Sequence, residues 1–129
     1  GTTQVKDINS DPGSSSYPEF LTVSGGKLFF SADDGTSGGE LWGSDGNAGG
    51  TMMVEDINPD SSDSYPQKLT DVSGTLFFTA VKDGFGRELW KSDGSGASML
   101  KDIYDGPNDG LYYSDQDRIL ANVSGTLFF

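Results

Sequence analysis

One recurrence constrains the fold of this chain more than anything else in it. Leu28-Phe29-Phe30 returns as Leu76-Phe77-Phe78, 48 residues on (28 to 76), and again as Leu127-Phe128-Phe129, 51 residues later (76 to 127). Glu40-Leu41-Trp42 returns as Glu88-Leu89-Trp90 at the same 48-residue spacing, followed in each case by Ser-Asp-Gly at 44–46 and 92–94. Tyr17-Pro18 matches Tyr65-Pro66, and the stretch from Gly1 to Ile8 matches Gly50 to Ile57. Self-similarity at one period means that one supersecondary unit is used several times, each burying its apolar surface against the next.

Each unit offers four strands. The first is Phe20–Val23, matched by Leu69–Val72 and Ile119–Val123. The second is Lys27–Ala32, matched by Thr75–Val81 and Thr126–Phe129. The third is Glu40–Ser44, matched by Glu88–Ser92, and the fourth is Met52–Ile57, matched by Ser98–Ile103 and preceded by Thr3–Ile8. Glycine-containing turns join first to second strand, and Asp-Gly at 45–46 and 93–94 joins third to fourth, as hairpins require. No stretch sustains a helical period.

Leu-Phe-Phe and Leu-Trp do not alternate with polar residues. Successive strand side chains point to opposite faces, so these middle strands need cover on both. Four antiparallel strands per unit with both faces covered predict an all-β chain of β-propeller blades, with a β-solenoid as the alternative. Residues 1–9 are read as the outer strand of a preceding blade, 14–58 and 61–104 as two blades, and 105–129 as the first two strands of a further one. That makes about two and three-quarter blades, fewer than the roughly four a propeller needs to close. The chain is therefore expected to be a segment of a longer protein or to associate with copies of itself. The inserted stretch from Tyr104 to Asp117 reads as a surface loop.

Composition narrows the function. There is no Cys and no His, which removes disulfides, the thiol nucleophile, the commonest general base and the commonest metal ligand. Asp and Glu number 20 against 8 Lys and Arg, a formal net charge of −12. Such a surface repels nucleic acid and anionic membranes. No apolar run reaches the roughly 20 residues of a membrane helix. No signal peptide is recognisable; any targeting segment is expected to have been removed or to lie outside these residues.

The stretch Glu40-Leu41-Trp42-Gly43-Ser44-Asp45-Gly46-Asn47, with Gly50-Thr51 and Val54-Glu55-Asp56-Ile57 after it, resembles the ELWxxDGT (hyalin-like) repeat of bacterial secreted and surface proteins. So does Gly74-Thr75-Leu76-Phe77-Phe78. The departures are Asn47 and Ser95 where the repeat has Thr, a second unit shorter by two residues between Trp and Asp-Ile, and a final unit without Glu-Leu-Trp. The resemblance implies an extracellular or cell-surface location and repetition, and it brings no catalytic motif.

Candidate site residues follow from residue type and position. Trp42 and Trp90 are either core or sugar-stacking platforms; their place beside a Leu in a doubly covered strand favours the core. Asp34, Glu40, Asp45, Glu88 and Asp93 lie at or beside turns and are candidate oxygen ligands for Ca²⁺, although the spacing of a recognisable calcium loop is missing. The simpler reading of Asp45 and Asp93 is a turn aspartate bonded to its own backbone. The stretch from Asp56 through Asp60 to Asp63 is a further acidic candidate. Asp7, Asp56 and Asp102, each before an Ile, are expected to cap the loop that follows. Asn122-Val123-Ser124 fits the N-glycosylation pattern. No cofactor is required and no catalytic residue is assigned. The expected function is non-enzymatic: a structural, adhesive, fibre or matrix module whose partners are flanking blades or copies of itself. A carbohydrate-binding propeller with one glycan site per blade is the alternative.

Overall fold

The computed structural model describes residues 1–108 and 120–129. Ten strands, with no helix among the described residues, form three antiparallel sheets. The first sheet has the order β1 (Glu19–Ser24), β2 (Lys27–Asp33), β3 (Gly39–Ser44), β4 (Met52–Glu55). The second repeats that order with β5 (Gln67–Val72), β6 (Thr75–Lys82), β7 (Gly86–Ser92), β8 (Ala97–Lys101). The third pairs β9 (Ala121–Val123) with β10 (Thr126–Phe128). The expected all-β class is observed.

The two large sheets share their register. Phe30 faces Trp42 and Ala32 faces Glu40 in the first; Phe78 faces Trp90 and Ala80 faces Glu88 in the second. A bulge interrupts β1 against β2 between Glu19 and Thr22, and β5 against β6 between Gln67 and Thr70. The first-to-second strand loops are two residues long, at 25–26, 73–74 and 124–125. All six loop residues have positive φ, including Ser73 at 53° and Ser124 at 51°. That is the primed turn whose twist matches the flanking strands, and the reason Gly dominates these positions.

Both faces of the first sheet are covered. Phe29 and Leu41 point one way, into a cluster with Ile57 and with Leu76, Phe78, Ala80 and Trp90 of the second sheet. Phe30, Ala32 and Trp42 point the other way and are covered by Ile8, with Leu28 and Met53 beside them. Ile8 thus sits on the Phe30–Trp42 face of the first sheet as Ile57 sits on the Phe78–Trp90 face of the second. Trp42 is 5 % exposed and Trp90 4 %, so both rings are core and neither is a platform open to solvent.

Three strand expectations are corrected. Thr3–Ile8 is not a strand, although it packs on the first sheet as an outer segment would. A strand exists only through its ladder, and no described strand pairs with this segment. Lys6 instead anchors it, donating from Nζ to Thr51 O at 2.7 Å, with the ammonium 5.8 Å from the centre of the Trp42 ring. The fourth strands end at Glu55 and Lys101, short of Ile57 and Ile103; Ile57 turns away to join the core of the second sheet, and Ile103 is exposed. The last second strand ends at Phe128 rather than Phe129. Ile119 and most of the 104–117 loop lie outside the described residues.

Candidate functional site

Glu40 begins on β3 with its neighbours Leu41 and Trp42 buried, and its own side chain is fully buried. A buried carboxylate needs donors, and Glu40 collects them from two places. Ile57 N–H donates to Oε2 at 3.0 Å, Ser64 N–H to Oε1 at 3.0 Å, and the Ser64 hydroxyl lies 2.6 Å from Oε2. Ile57 ends the first unit and Ser64 leads into the second. One carboxyl therefore joins a sheet to the connection that leaves it. Burial pushes Glu40 up to about 7, against the opposing pull of the Ser64 and Ile57 bonds, and the nearby Asp56 adds to the rise. Glu88 repeats the contact, accepting from Ile103 N–H at 2.9 Å.

This reassigns two expectations. Glu40 and Glu88 are inside the protein as joint residues, with their oxygens aimed at backbone N–H groups. The cap on the Asp-Ile connection comes from these glutamates and not from Asp56 or Asp102; Asp102 Oδ1 is buried without a hydrogen-bond partner. Sequence spacing carried a signal for the pair, since Glu-Leu-Trp and Asp-Ile recur together, but nothing local to Glu40 says that its partner lies 17 residues away (40 to 57).

The remaining candidates are engaged in turns. Asp34 Oδ1 accepts from Thr36 N–H, Thr36 Oγ1 and Ser37 N–H. Partial burial pushes Asp34 up, yet these donors outweigh it and hold its carboxyl below the usual range. Asp45 Oδ1 accepts from Asn47 N–H, and Asp93 Oδ1 from Ser95 N–H, both at 2.9 Å. The Ser95 hydroxyl and amide keep Asp93 low. Ser44 and Ser92 accept from Gly46 and Gly94 N–H in the same turns, which is what Ser-Asp-Gly does in both units. Among the described residues no three acidic side chains converge as a metal would need. Calcium titration by calorimetry is accordingly expected to give the same stoichiometry after Asp34, Asp45 and Asp93 are all changed to Asn. Loss of a binding step would return them to the ligand set.

Asn122 is exposed, but its amide is occupied: Nδ2 donates to Asp71 O and Oδ1 accepts from Gly125 N–H, each at 2.9 Å. A glycan on Nδ2 would have to disturb a bond that ties the third sheet to the second.

The first strands of consecutive sheets lie side by side. The Thr22 hydroxyl sits between Phe20 O at 3.0 Å and Leu69 O at 3.4 Å; that of Thr70 sits between Lys68 O at 2.9 Å and Leu120 O at 3.3 Å. The relation of sheet one to sheet two is thus repeated from two to three. Between β1 and β5 runs a groove of about 390 Å³ lined by Phe20, Leu21, Thr22, Gln67, Lys68 and Leu69. Phe20 and Lys68 hold φ of 58° and 56° at the two bulges, a left-handed conformation that costs non-glycine residues about 1–3 kcal/mol each. Sequence reasoning missed this groove, because neither residue carries a glycine signal.

Edges complete the candidate surface. β10 pairs with β9 on one side, and Phe128 and Phe129 are 55 % and 69 % exposed. Comparison with protein-family models, with curated proteins and with solved structures finds no match for this chain.

Proposed function

We propose that this chain is a non-enzymatic structural module of an extracellular or bacterial cell-surface protein, its sheets being successive blades of a β-propeller that act through protein–protein assembly. The observation that supports it most is the repeated relation between sheets: Thr22 of β1 reaches Leu69 of β5, Thr70 of β5 reaches Leu120 just before β9, and the Asp-Ile connections at 7–8 and 56–57 seat their Ile on the Phe–Trp faces of the first and second sheets. A stack built this way leaves its end faces apolar unless something covers them. Light scattering on the isolated chain tests the reading. Oligomers or partial unfolding at micromolar concentration are expected, and a stable, fully folded monomer would count against it.

A second, sugar-binding reading leaves the buried tryptophans and moves to the groove between β1 and β5. Phe20, 45 % exposed, offers an apolar face there beside Gln67 and Lys68 as donors. A glycan array compared between the wild-type chain and Phe20→Ala separates the two readings. Hits that vanish in the variant support the groove; an array without hits removes it.

A further inference from the structure

We infer that the Asp83–Gly84 bond, in the turn between β6 and β7, is a site of spontaneous isoaspartate formation, and that the Ser-Asp-Gly turns of both units are protected from the same reaction by their serines. The inference is independent of the assembly reading above.

An Asp-Gly bond is open to this chemistry because glycine has no Cβ to hinder attack by its own nitrogen. The Gly nitrogen attacks the Asp Cγ. An N–Cγ bond forms, the Cγ–OH bond of the protonated carboxyl breaks, and the hydroxyl leaves with the nitrogen's proton as water. The product is a five-membered succinimide. Water then adds to one of its two carbonyls. Opening the ring between N and Cγ restores Asp. Opening it between N and the original main-chain carbonyl leaves the chain running through Cγ as isoaspartate. The water lost is regained, so no oxidant, reductant or cofactor takes part. The reaction needs a Gly N–H and a carboxyl that are not held by other groups.

The described residues contain five Asp-Gly bonds, at 34–35, 45–46, 83–84, 93–94 and 105–106. Three of them are held. Gly35 N–H donates to Asp33 Oδ1 at 2.7 Å, and Asp34 Oδ1 accepts from Thr36 and Ser37 N–H. Gly46 N–H donates to Ser44 Oγ at 3.0 Å, and Asp45 Oδ1 accepts from Asn47 N–H. Gly94 N–H donates to Ser92 Oγ at 2.9 Å, and Asp93 Oδ1 accepts from the Ser95 amide and hydroxyl. In each, the nitrogen must leave its acceptor and the carboxyl its donors before the ring can close. Asp34, despite the upward push of partial burial, and Asp93 are also held below the usual carboxylate range by these donors, which depletes the protonated form that reacts.

Asp83–Gly84 differs. Both residues are exposed. Phe85 N–H closes the turn on Lys82 O at 3.0 Å, and Asp83 N–H donates to Asn58 Oδ1 at 3.1 Å. Among the described residues neither Gly84 N–H nor the Asp83 carboxyl has a hydrogen-bond partner. Asp105–Gly106 shows no such bond among the described residues either, and it gives an open pair for comparison within the same chain. Isoaspartate at 83 lengthens the main chain by one atom where the turn is pinned to Asn58, a buried residue in the connection between the first two sheets. The modification is therefore felt at the contact between sheets.

The test ages the full chain for several weeks at neutral pH and physiological temperature. Its peptides are then mapped by mass spectrometry with electron-transfer fragmentation, which separates isoaspartate from aspartate at equal mass. Isoaspartate at 83 is expected to form roughly tenfold or more faster than at 34, 45 and 93, the factor for giving up one or two hydrogen bonds before reaction. Asp83→Glu, whose longer side chain cannot close the five-membered ring, should abolish the signal there and reduce any fall in urea midpoint on ageing. Ser92→Ala frees Gly94 N–H and should raise the rate at 93 while leaving 45 as it was. Folding of this variant is checked by circular dichroism; if it fails, Ser44→Ala read at 45 takes its place. In urea the rates should converge. A rate at 83 no higher than at 45 or 93 in the folded chain overturns the proposal. So does a ranking that persists in urea, which would belong to local sequence rather than to the fold. An unchanged rate at the freed glycine of a folded serine variant overturns the protection by serine.

Discussion

Replacing Trp90 by Ala is expected to destabilise the chain by about 3–5 kcal/mol, the range for removing a buried aromatic from a packed core. Trp90 stacks on Phe78 with ring centres 6.5 Å apart and belongs to the cluster in which Phe29 and Leu41 of the first sheet meet Leu76 and Ala80 of the second. Its loss opens a cavity at the contact between sheets, which has little freedom to collapse because both walls are strands. Trp42→Ala should cost less. Its cluster of Phe30 and Ala32 is smaller, and its cover comes from Ile8 on a segment without strand pairing. Urea midpoints of the two variants check the order. Equal midpoints would mean that the first-sheet face is covered as firmly as the contact between sheets. Both indole N–H groups are buried without a partner, so Trp→Phe should be far milder than Trp→Ala at either position.

Glu40 carries the second large effect. Glu40→Ala leaves Ile57 N–H facing a hole, while Ser64 N–H and the Ser64 hydroxyl keep Gly39 O at 3.1 Å and 3.3 Å. One buried unsatisfied donor costs about 1–3 kcal/mol, and a loss of that size is expected. Glu40→Gln keeps the shape but turns an amide NH₂ toward a backbone N–H, so it should lose part of this. The pH dependence has a definite sign. The carboxyl is raised by burial from about 4.5 to about 7 in the folded chain. A group raised in the folded state binds its proton more tightly there, so its contribution is fully present below about 4.5 and is lost as pH rises through about 7. Its geometry suits the protonated form as well: a proton on Oε2 can be given to Ser64 Oγ, whose own hydrogen is then free for Gly39 O at 3.3 Å. Urea midpoints of the wild type should fall between pH 5 and pH 8, and the difference from Glu40→Gln should shrink over that interval. A difference that does not change with pH would show that Glu40 does not titrate there.

Much of this was legible in the residues. Leu28-Phe29-Phe30 and Glu40-Leu41-Trp42 are short, apolar on successive positions and separated by glycine turns, and such patterns act through neighbours in the chain. The strands, the primed hairpin turns and the need to cover both faces all follow from them. Ser44-Asp45-Gly46 was equally readable as a turn, because its hydrogen bonds close within two residues.

The calcium candidates show where such reading stops. A carboxyl beside a turn has the same local sequence whether it faces solvent, a metal or a buried amide. Asp34 keeps its donors within its own loop, whereas Glu40 finds Ser64 in the lead to another sheet. Thr3–Ile8 makes the same point in reverse: its residues match a strand, yet strand pairing depends on a neighbour that no described segment provides.

Residues a few positions apart set the local units here: which segments extend, where the chain turns, and which side chains must be buried, since backbone preference and alternation operate over that range. What each unit meets was settled by packing in three dimensions. It set Ile8 and Ile57 on successive sheet faces and drew the carboxyl of Glu40 to amides 17 and 24 residues away. Those outcomes depend on which surfaces come together in space, and a side chain's partner across tens of residues is chosen by packing rather than by its neighbours in the chain.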